Sequence, residues 1–381
     1  MNQDLMIVGA GLTGLTAAIE AAERGGRVTV AEAHAQPGGR ARSLPGPYMA
    51  NAGPHAIYVD GPWWAWLESR GLTPPLAEAP RRPGLVRAGG RFGPWQPELS
   101  EAIAALPAEA PVEESFRAWL LRHVDAKTAD AIVGVVFIFT FDHDPGRLSA
   151  AFAHGRLRRG LAGGARYVAG GWSTLVDLLA ERAAALGVRM DTRTRVSTLP
   201  AGPTILATSL AAARRLTGDG SLTWPSARTA TIDLGLRACD GPDWFRVIDL
   251  DDRIYVARYT LADPTLSPPD HELIQIAAAC GPSERKAAVE RRVQHLLDQT
   301  WPGWGAAVQW RRSAIRTHCT GALDLPGTTW RDRPAVSRGT NLAVATDQSA
   351  APGLFAEVGI AAARLALQQL GEAPGLLSRA G

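Results

Sequence analysis

The segment that most narrows the possible folds is Gly9-Ala10-Gly11-Leu12-Thr13-Gly14, set between an apolar tetrapeptide and a helical pattern. Leu5-Met6-Ile7-Val8 is a short apolar run suited to a buried parallel strand. After the glycines, Leu15, Ala18, Ile19 and Ala22 recur on one helical face, and Gly25-Gly26 end the pattern. Val28-Thr29-Val30-Ala31 reads as a second strand, closed by Glu32. The spacing predicts a βαβ unit with glycines in its first turn and an acid after its second strand. Gly9 permits the tight turn, Gly11 lets a pyrophosphate approach the backbone, and Gly14 lets helix and strand pack closely. The helix N-terminus offers free N–H groups and a positive dipole end to phosphates. Glu32 can accept both hydroxyls of an adenosine ribose, and its charge disfavours a 2′-phosphate there.

Two further elements follow: Pro37-Gly38-Gly39-Arg40-Ala41-Arg42, then Asn51-Ala52-Gly53-Pro54-His55. Together with the βαβ pattern, this stretch resembles the FAD-dependent amine oxidase, phytoene desaturase and protoporphyrinogen oxidase superfamily. The resemblance implies an α/β fold: a Rossmann-like FAD-binding domain of the glutathione-reductase type, with an inserted α+β substrate domain. FAD is the implied cofactor. The Gly38-Gly39-Arg40 loop is then expected along the pyrophosphate and ribityl chain, with Arg40 as a charge partner for phosphate. Asn51, Gly53, Pro54 and His55 are expected beside the isoalloxazine.

The same resemblance covers a middle segment and the C-terminal part. Trp172 precedes a helical pattern with Ser173 or Thr174 as N-cap, an apolar face of Leu175, Leu178, Leu179 and Leu186, and a stop at Gly187. Val188-Arg189-Met190 reads as a strand, followed by Arg195-Val196-Ser197 and by Thr204-Ile205-Leu206-Ala207-Thr208. The resemblance places the backbone near Val196 at adenine and Thr208 at the end of the closing strand, with the β-meander of relatives trimmed. Asn341–Asp347 reads as a strand ending in an acid, and Gly353-Leu354 opens a helix running to about Leu370. Asp347 is expected at the ribityl or pyrophosphate region, and the helix N-terminus at the flavin pyrimidine ring. Ala10, Leu12, Thr13, Ala33 and Ala41 complete the expected cofactor contacts. Thr346 stands where relatives usually have Gly, which predicts crowding of the cofactor.

The domain reading assigns residues 1–61, 165–225 and 335–381 to the FAD-binding domain, and 62–164 and 226–334 to the substrate-binding domain. Within the latter, Asp130–Phe141 reads as a core element or as the wall of an apolar cavity, and Trp63, Trp64 and Trp66 as packing or as an entrance. Thr229–Leu236, Arg246–Asp249 and Arg253–Tyr259 alternate like strands of a cavity floor, and Glu284–Asp298 reads as a charged surface helix. The basic clusters Arg156-Leu157-Arg158-Arg159 and Arg311-Arg312 read as solvated faces or as seats for an anionic group.

Composition removes other classes. A net charge of +3 over 381 residues does not support a nucleic-acid surface. Three cysteines, with no metal-ligand spacing, support neither a disulfide framework nor a metal site. The longest apolar run, Ala131–Phe141, is shorter than the ~20 residues of a membrane span. No signal peptide is recognised, so the expected location is cytoplasmic. No second GxGxxG follows a strand, so no NADPH domain is expected; electrons would leave to oxygen, a quinone or a carrier. Amine oxidases of the superfamily commonly carry a Lys in a substrate-domain strand; Lys127 and Lys286, the two lysines here, both lie outside Thr229–Leu236. The reading is therefore an FAD-dependent oxidoreductase abstracting hydride from a largely apolar small molecule, of desaturase or oxidase type. The alternatives are a flavin amine oxidase acting on an amine or amino acid with oxygen as acceptor, and a redox-neutral isomerase or non-catalytic family member. No catalytic acid or base is named from sequence; His55 is the one titratable side chain the pattern places near the flavin, and it reads as shaping its loop or as a candidate for proton transfer.

Overall fold

The computed structural model describes residues 4–237, 241–318 and 320–371. The strands Leu5–Val8 and Val28–Ala31 pair in parallel, Leu5 opposite Val28 and Val8 opposite Ala31. They are central in a five-stranded, all-parallel sheet ordered Leu342–Val344, Thr204–Leu206, Leu5–Val8, Val28–Ala31, Arg189–Asp191. Such a sheet is covered on both faces, which is why its strands are continuous apolar runs rather than alternating ones. The helices Leu12–Glu23, Trp172–Ala185 and Ala356–Gly371 cover one face, and the helix Leu210–Thr217 with Leu222 packs on Val8, Leu206 and Val344 at the other. Leu15, Ile19, Leu175, Leu179, Ile360 and Leu367 join Leu5 and Ile7 in one buried core.

The helix expected to be capped by Ser173 or Thr174 begins earlier, at Trp172, with Gly171 as N-cap and no side-chain cap, Ser173 Oγ instead accepting the Ser43 N–H; it ends at Ala185, with Gly187 at φ 80°. Arg195-Val196-Ser197 forms no ladder and runs as irregular chain along the rim of the sheet. A small three-stranded sheet, Ile57–Tyr58 with Ala165–Val168 and Leu76–Ala77, adjoins the parallel sheet.

A second, seven-stranded sheet has the order Val308–Thr317, Arg228–Arg237, His271–Ala279, Ile254–Arg258, Arg246–Asp249, Gly84–Ala88, Arg91–Gly93. It is antiparallel except where Arg246–Asp249 meets Gly84–Ala88. Its two faces have different neighbours. Ala230, Ile232, Leu234 and Leu236 pack with Val289, Val293, Leu296 and Leu297 of the helix Lys286–Thr300. The alternate residues Thr229 and Thr231 face a cavity. The helix Ala126–Thr140 packs with Tyr255 and Ala257 on that side. The apolar stretch Asp130–Phe141 thus does both things expected of it. Ile132, Val133 and Val136 are core, while Val135, Ile138, Phe139 and Phe141 reach the cavity. No described helix is long and apolar enough to cross a membrane.

Candidate cofactor and active site

The parallel sheet presents its strand ends to a cavity of about 1290 Å³, roofed by the mixed sheet and the helix Ala126–Thr140. Ordinary small-molecule sites enclose about 300–1,000 Å³, so this one has room for an extended ligand and a second molecule. The turn after the first strand is held by close approaches. A side chain at Gly9 would place Cβ 2.6 Å from the Ala207 carbonyl oxygen, and one at Gly14 would collide with the Gly9 carbonyl oxygen. Gly11 is different: its Cβ would meet nothing within 4 Å. Gly39 faces the same space, with only the Gly11 Cα at 3.6 Å from where its Cβ would lie. A Gly11–Gly38 bridge and the Gly38 N–H to Ala10 carbonyl hydrogen bond (2.7 Å) join the two glycine turns. The helix Leu12–Glu23 starts there with no side-chain cap and no acid in its first turn. The result is a cradle lined by backbone, with free N–H groups and the positive end of a helix dipole. A pyrophosphate fits it, and any side chain would fill it.

At one end of the cradle lies Glu32, 5% exposed. Its two oxygens accept the Ala10 and His34 N–H groups, each at 2.8 Å, which fixes the carboxylate at the end of its strand. Each oxygen retains a second lone pair for a ribose hydroxyl. Ala33, Val196 and Thr208 border the same end, with Ala212 and Leu216 of the helix Leu210–Thr217.

Toward the other end, the N-terminal and C-terminal segments meet. Arg40 forms an ion pair with Asp347 at 2.8 Å and donates to the His318 carbonyl at 2.8 Å. The helix Ala356–Gly371 packs along the helix Leu12–Glu23, and Leu354 and Phe355 at its start face the cavity. Its first turn carries Glu357, whose carboxylate accepts the Leu354 N–H at 3.0 Å. Part of the positive helix end is therefore met within the protein. Burial raises the Glu357 carboxyl above the usual range, against the Leu354 hydrogen bond and the nearby Arg159 and Arg156 charges. Thr346 does not project freely into the space. Its Oγ1 accepts the Gln348 N–H (2.9 Å) while its own N–H goes to Ser349 Oγ (3.0 Å).

The segment Gly53–His55 forms one wall beyond Arg40. Gly53 has φ 115°, and its missing Cβ admits Thr231, whose Cγ2 would lie 2.9 Å away. His55 Nδ1 lies 2.7 Å from the Gly53 carbonyl, which makes Nδ1 the protonated nitrogen and leaves Nε2 as an acceptor. Burial lowers the His55 pKa below its usual value, opposed by that hydrogen bond and reinforced by the Arg40 and Arg316 charges. The ring is therefore neutral near pH 7. The Tyr259 hydroxyl accepts the His55 N–H (3.0 Å) and donates to the His55 carbonyl (3.2 Å).

Asn51 lies behind the wall rather than on it. It is buried, and its Oδ1 accepts from Ser43 Oγ (2.8 Å) and the Trp172 N–H (3.2 Å). Its carbonyl accepts from Gln275 and Arg312. Those two side chains also hold the fully buried Asp233, through Gln275 Nε2 (2.7 Å) and Arg312 Nε (2.7 Å). Burial raises the Asp233 carboxyl above its usual range despite Arg312. Arg312, whose cluster reads from sequence as a solvated face or as a seat for an anionic group, is the counter-charge to Asp233 beneath the Gly53–His55 wall.

Of the residues expected from sequence, Gly9, Gly11, Leu12, Thr13, Glu32, Ala33, Gly38, Gly39, Arg40, Ala41, Gly53, Pro54, His55, Val196, Thr208, Asp347 and Leu354 border this one cavity. Ala10, Gly14 and Asn51 support it from behind. Gly353 faces a second, smaller cavity instead. The far chamber is lined by Phe139, Phe141, Tyr255 and Tyr259, which lie in the two segments read from sequence as cavity wall and floor, and by Tyr58, Tyr167 and Phe355, which sequence reasoning missed. One signal was available. The chain has five tyrosines, and four of them line this chamber. Desolvation keeps Tyr255 and Tyr259 protonated by raising both above their usual pKa.

Comparison with known proteins agrees with this geometry. Residues 7–69 match the model of an NAD(P)-binding Rossmann-like domain. A 55-residue stretch is 54% identical to hydroxyneurosporene desaturase of Rhodobacter capsulatus, covering 14% of this chain and 11% of that protein's length. Among solved structures, an oxidoreductase from Methanosarcina mazei superposes with a TM-score of 0.76 at 19% identity, over 96% of this chain and 100% of that one. Cyclohexylamine oxidase from Brevibacterium oxydans superposes with a TM-score of 0.72 at 16% identity, over 98% and 99%. The chain thus shares the fold of these oxidoreductases, and its residues 7–69 match a Rossmann-like NAD(P)-binding domain.

Proposed function

We propose that the protein is an FAD-dependent oxidoreductase that takes a hydride from a largely apolar small molecule. The observation that carries this reading is the single cavity itself: one half is backbone and glycine, the other half aromatic. Residues 1–61, 165–225 and 335–381 act as the cofactor-holding part, and residues 62–164 and 226–334 cover the substrate. FAD would be held by Glu32 at its ribose, by the Gly11–Thr13 and Gly39 backbone at its pyrophosphate, and by Arg40, Asp347, His55 and Leu354 towards its flavin. Bound there, it supplies a two-electron acceptor for a C–H bond next to nitrogen or in an activated hydrocarbon.

The remaining work falls to the chain. The aromatic rings of the chamber exclude water and give an apolar substrate its burial. Tyr259 positions the His55 backbone and does not itself take part in proton transfer, since its hydroxyl is engaged on both sides. His55 Nε2 is the one neutral base on the Gly53–His55 wall, held in its tautomer by the Gly53 carbonyl. The chamber has no lysine on its wall, which favours an apolar substrate over the amines handled by lysine-bearing relatives. Electrons leave to oxygen, a quinone or a carrier protein.

The test is spectroscopic. The purified protein is expected to carry flavin that is released on denaturation, and to bleach under anaerobic conditions with members of an apolar substrate panel. Bleaching by amines alone, with stoichiometric peroxide on readmission of air, would replace this reading with that of an amine oxidase. A colourless protein that takes up no FAD would end both.

A further inference from the structure

The helix Ala150–Leu161 carries a charge that the proposed reaction does not use. Arg156 is 5% exposed, its Nη1 has no hydrogen-bond partner, and among the described residues it makes no direct ion pair, the Asp324 and Glu357 carboxylates acting on it only from further off. Its guanidinium lies over the rings of Phe152 (4.9 Å) and Phe355 (4.6 Å). Rings attract a cation over their faces but accept no in-plane N–H hydrogen bonds, so Nη1 stays unmet. Burial and the neighbouring Arg333 push the Arg156 pKa down to about 10, and the group stays charged at neutral pH. A buried charge with no directly paired counter-ion is costly, and here Asp324 and Glu357 offset it only in part.

Arg156 borders a second cavity of about 420 Å³, next to the main one and sharing Leu354 and Glu357 with it. Three more buried polar atoms without a hydrogen bond belong to residues lining the same space: Arg333 Nη1, Ser149 Oγ and Arg159 Nη2, the last lying 3.9 Å from Glu357 Oε1. Arg333 is itself 5% exposed and is held by a two-point pair with Asp324, at 2.8 and 2.7 Å, which leaves its third nitrogen directed elsewhere. Val112, Phe152, Trp330 and Leu354 give the lining an apolar part, and Arg159, Arg331, Thr328 and Thr329 add polar groups to it.

We propose that this cavity is a binding site for the carboxylate of a small organic acid, gripped by Arg156 and Arg333 with Ser149 as a third donor. Planar guanidinium forks match a carboxylate in two-point fashion. The volume lies within the ~300–1,000 Å³ range of sites for organic molecules rather than for a bare ion. The apolar walls suit an aromatic or aliphatic body. Asp324 and Glu357 on the same lining oppose a doubly charged phosphate. The site adjoins the main cavity through Leu354 and Glu357, but its assignment does not rest on the proposed hydride transfer.

The experiment uses the protein as purified, in chloride-free buffer, with benzoate and inorganic phosphate as probes. Benzoate is expected to raise Tm in a saturable, concentration-dependent way, and calorimetry to give a matching Kd. Arg156→Met is expected to weaken benzoate binding at least about tenfold while its Tm without ligand equals or exceeds that of the wild type, because an unpaired buried charge has been removed. A lowered ligand-free Tm with unchanged benzoate affinity would make Arg156 a structural residue and overturn the proposal. Should Arg156→Met not fold, Arg156→Lys takes its place: it keeps the charge but loses the fork, and the same weakening is expected. An equal response to phosphate would overturn the carboxylate assignment, and no saturable response to either probe would overturn the site.

Discussion

Substituting Gly11 separates the fold from the cofactor site. Gly11 has φ −74° and ψ −179°, an extended conformation open to any residue, and its Cβ would point into empty space. It is also the N-cap of a helix with no side-chain cap. In Gly11→Ser the hydroxyl can accept an N–H from the first turn, and the unfolded chain loses freedom. Together these effects stabilise the ligand-free protein by up to about 1 kcal/mol. The same side chain fills the cradle and occupies its donors. Losing two charge-assisted hydrogen bonds, at about 1.5–3 kcal/mol each, weakens FAD binding by about 10²–10⁴-fold. Gly14→Ala is the control with the opposite sign. Its Cβ collides with the Gly9 carbonyl oxygen, so it destabilises the fold by about 1–3 kcal/mol or more. The assay measures Tm by circular dichroism and bound FAD by release on denaturation, for both variants. A Gly11→Ser protein with wild-type flavin content would refute the placement of the pyrophosphate.

Two other outcomes follow from buried groups. Asp233→Asn leaves Arg312 without its carboxylate beneath the Gly53–His55 wall, and is expected to cost about 3–5 kcal/mol in urea denaturation; a loss under about 1 kcal/mol would show that the pair is not effectively buried. His55 has its folded pKa below the ordinary 6.5, so below about pH 6.5 the unfolded chain takes up a proton that the folded chain resists. The wild type should therefore lose stability relative to His55→Gln between pH 7.5 and 5.5, by at most about 1.4 kcal/mol per pH unit. A pH-independent difference between the two midpoints would contradict the neutral, buried ring.

The parallel sheet was legible because each of its signals is local. An apolar tetrapeptide, a glycine turn and a helical face lie within thirty residues, and the structure places Leu5–Val8, Leu12–Glu23 and Val28–Ala31 where that spacing predicts. The ion pair of Arg40 with Asp347 joins residues far apart in sequence, and it was reachable only because each lies in its own recognisable turn. The mixed sheet was read in part. Thr229–Leu236 and Arg246–Asp249 alternate clearly, but His271–Ala279 and Val308–Thr317 did not stand out. The first of these is buried along nearly its whole length and loses the alternation, and the second is an edge strand whose apolar residues are interrupted by Arg311, Arg312 and Arg316. The Glu284–Asp298 segment looked uniformly charged, yet Val289, Val293, Leu296 and Leu297 give it a buried stripe. Charge runs misled in the same way. In sequence Arg156 and Arg159 look alike, but they lie on different parts of the helix surface, and only the first is enclosed. Periodicity says which residues share a face; it does not say what that face meets.

The account depends on FAD lying in the large cavity, and a crystal structure of the protein after incubation with FAD tests this most directly. Density for the adenosine ribose at Glu32, for the pyrophosphate against Gly11 and Gly39, and for the flavin near His55 and Leu354 is the expected result. FAD bound elsewhere, or a cavity that stays free of it at saturating concentration, would contradict the assignment.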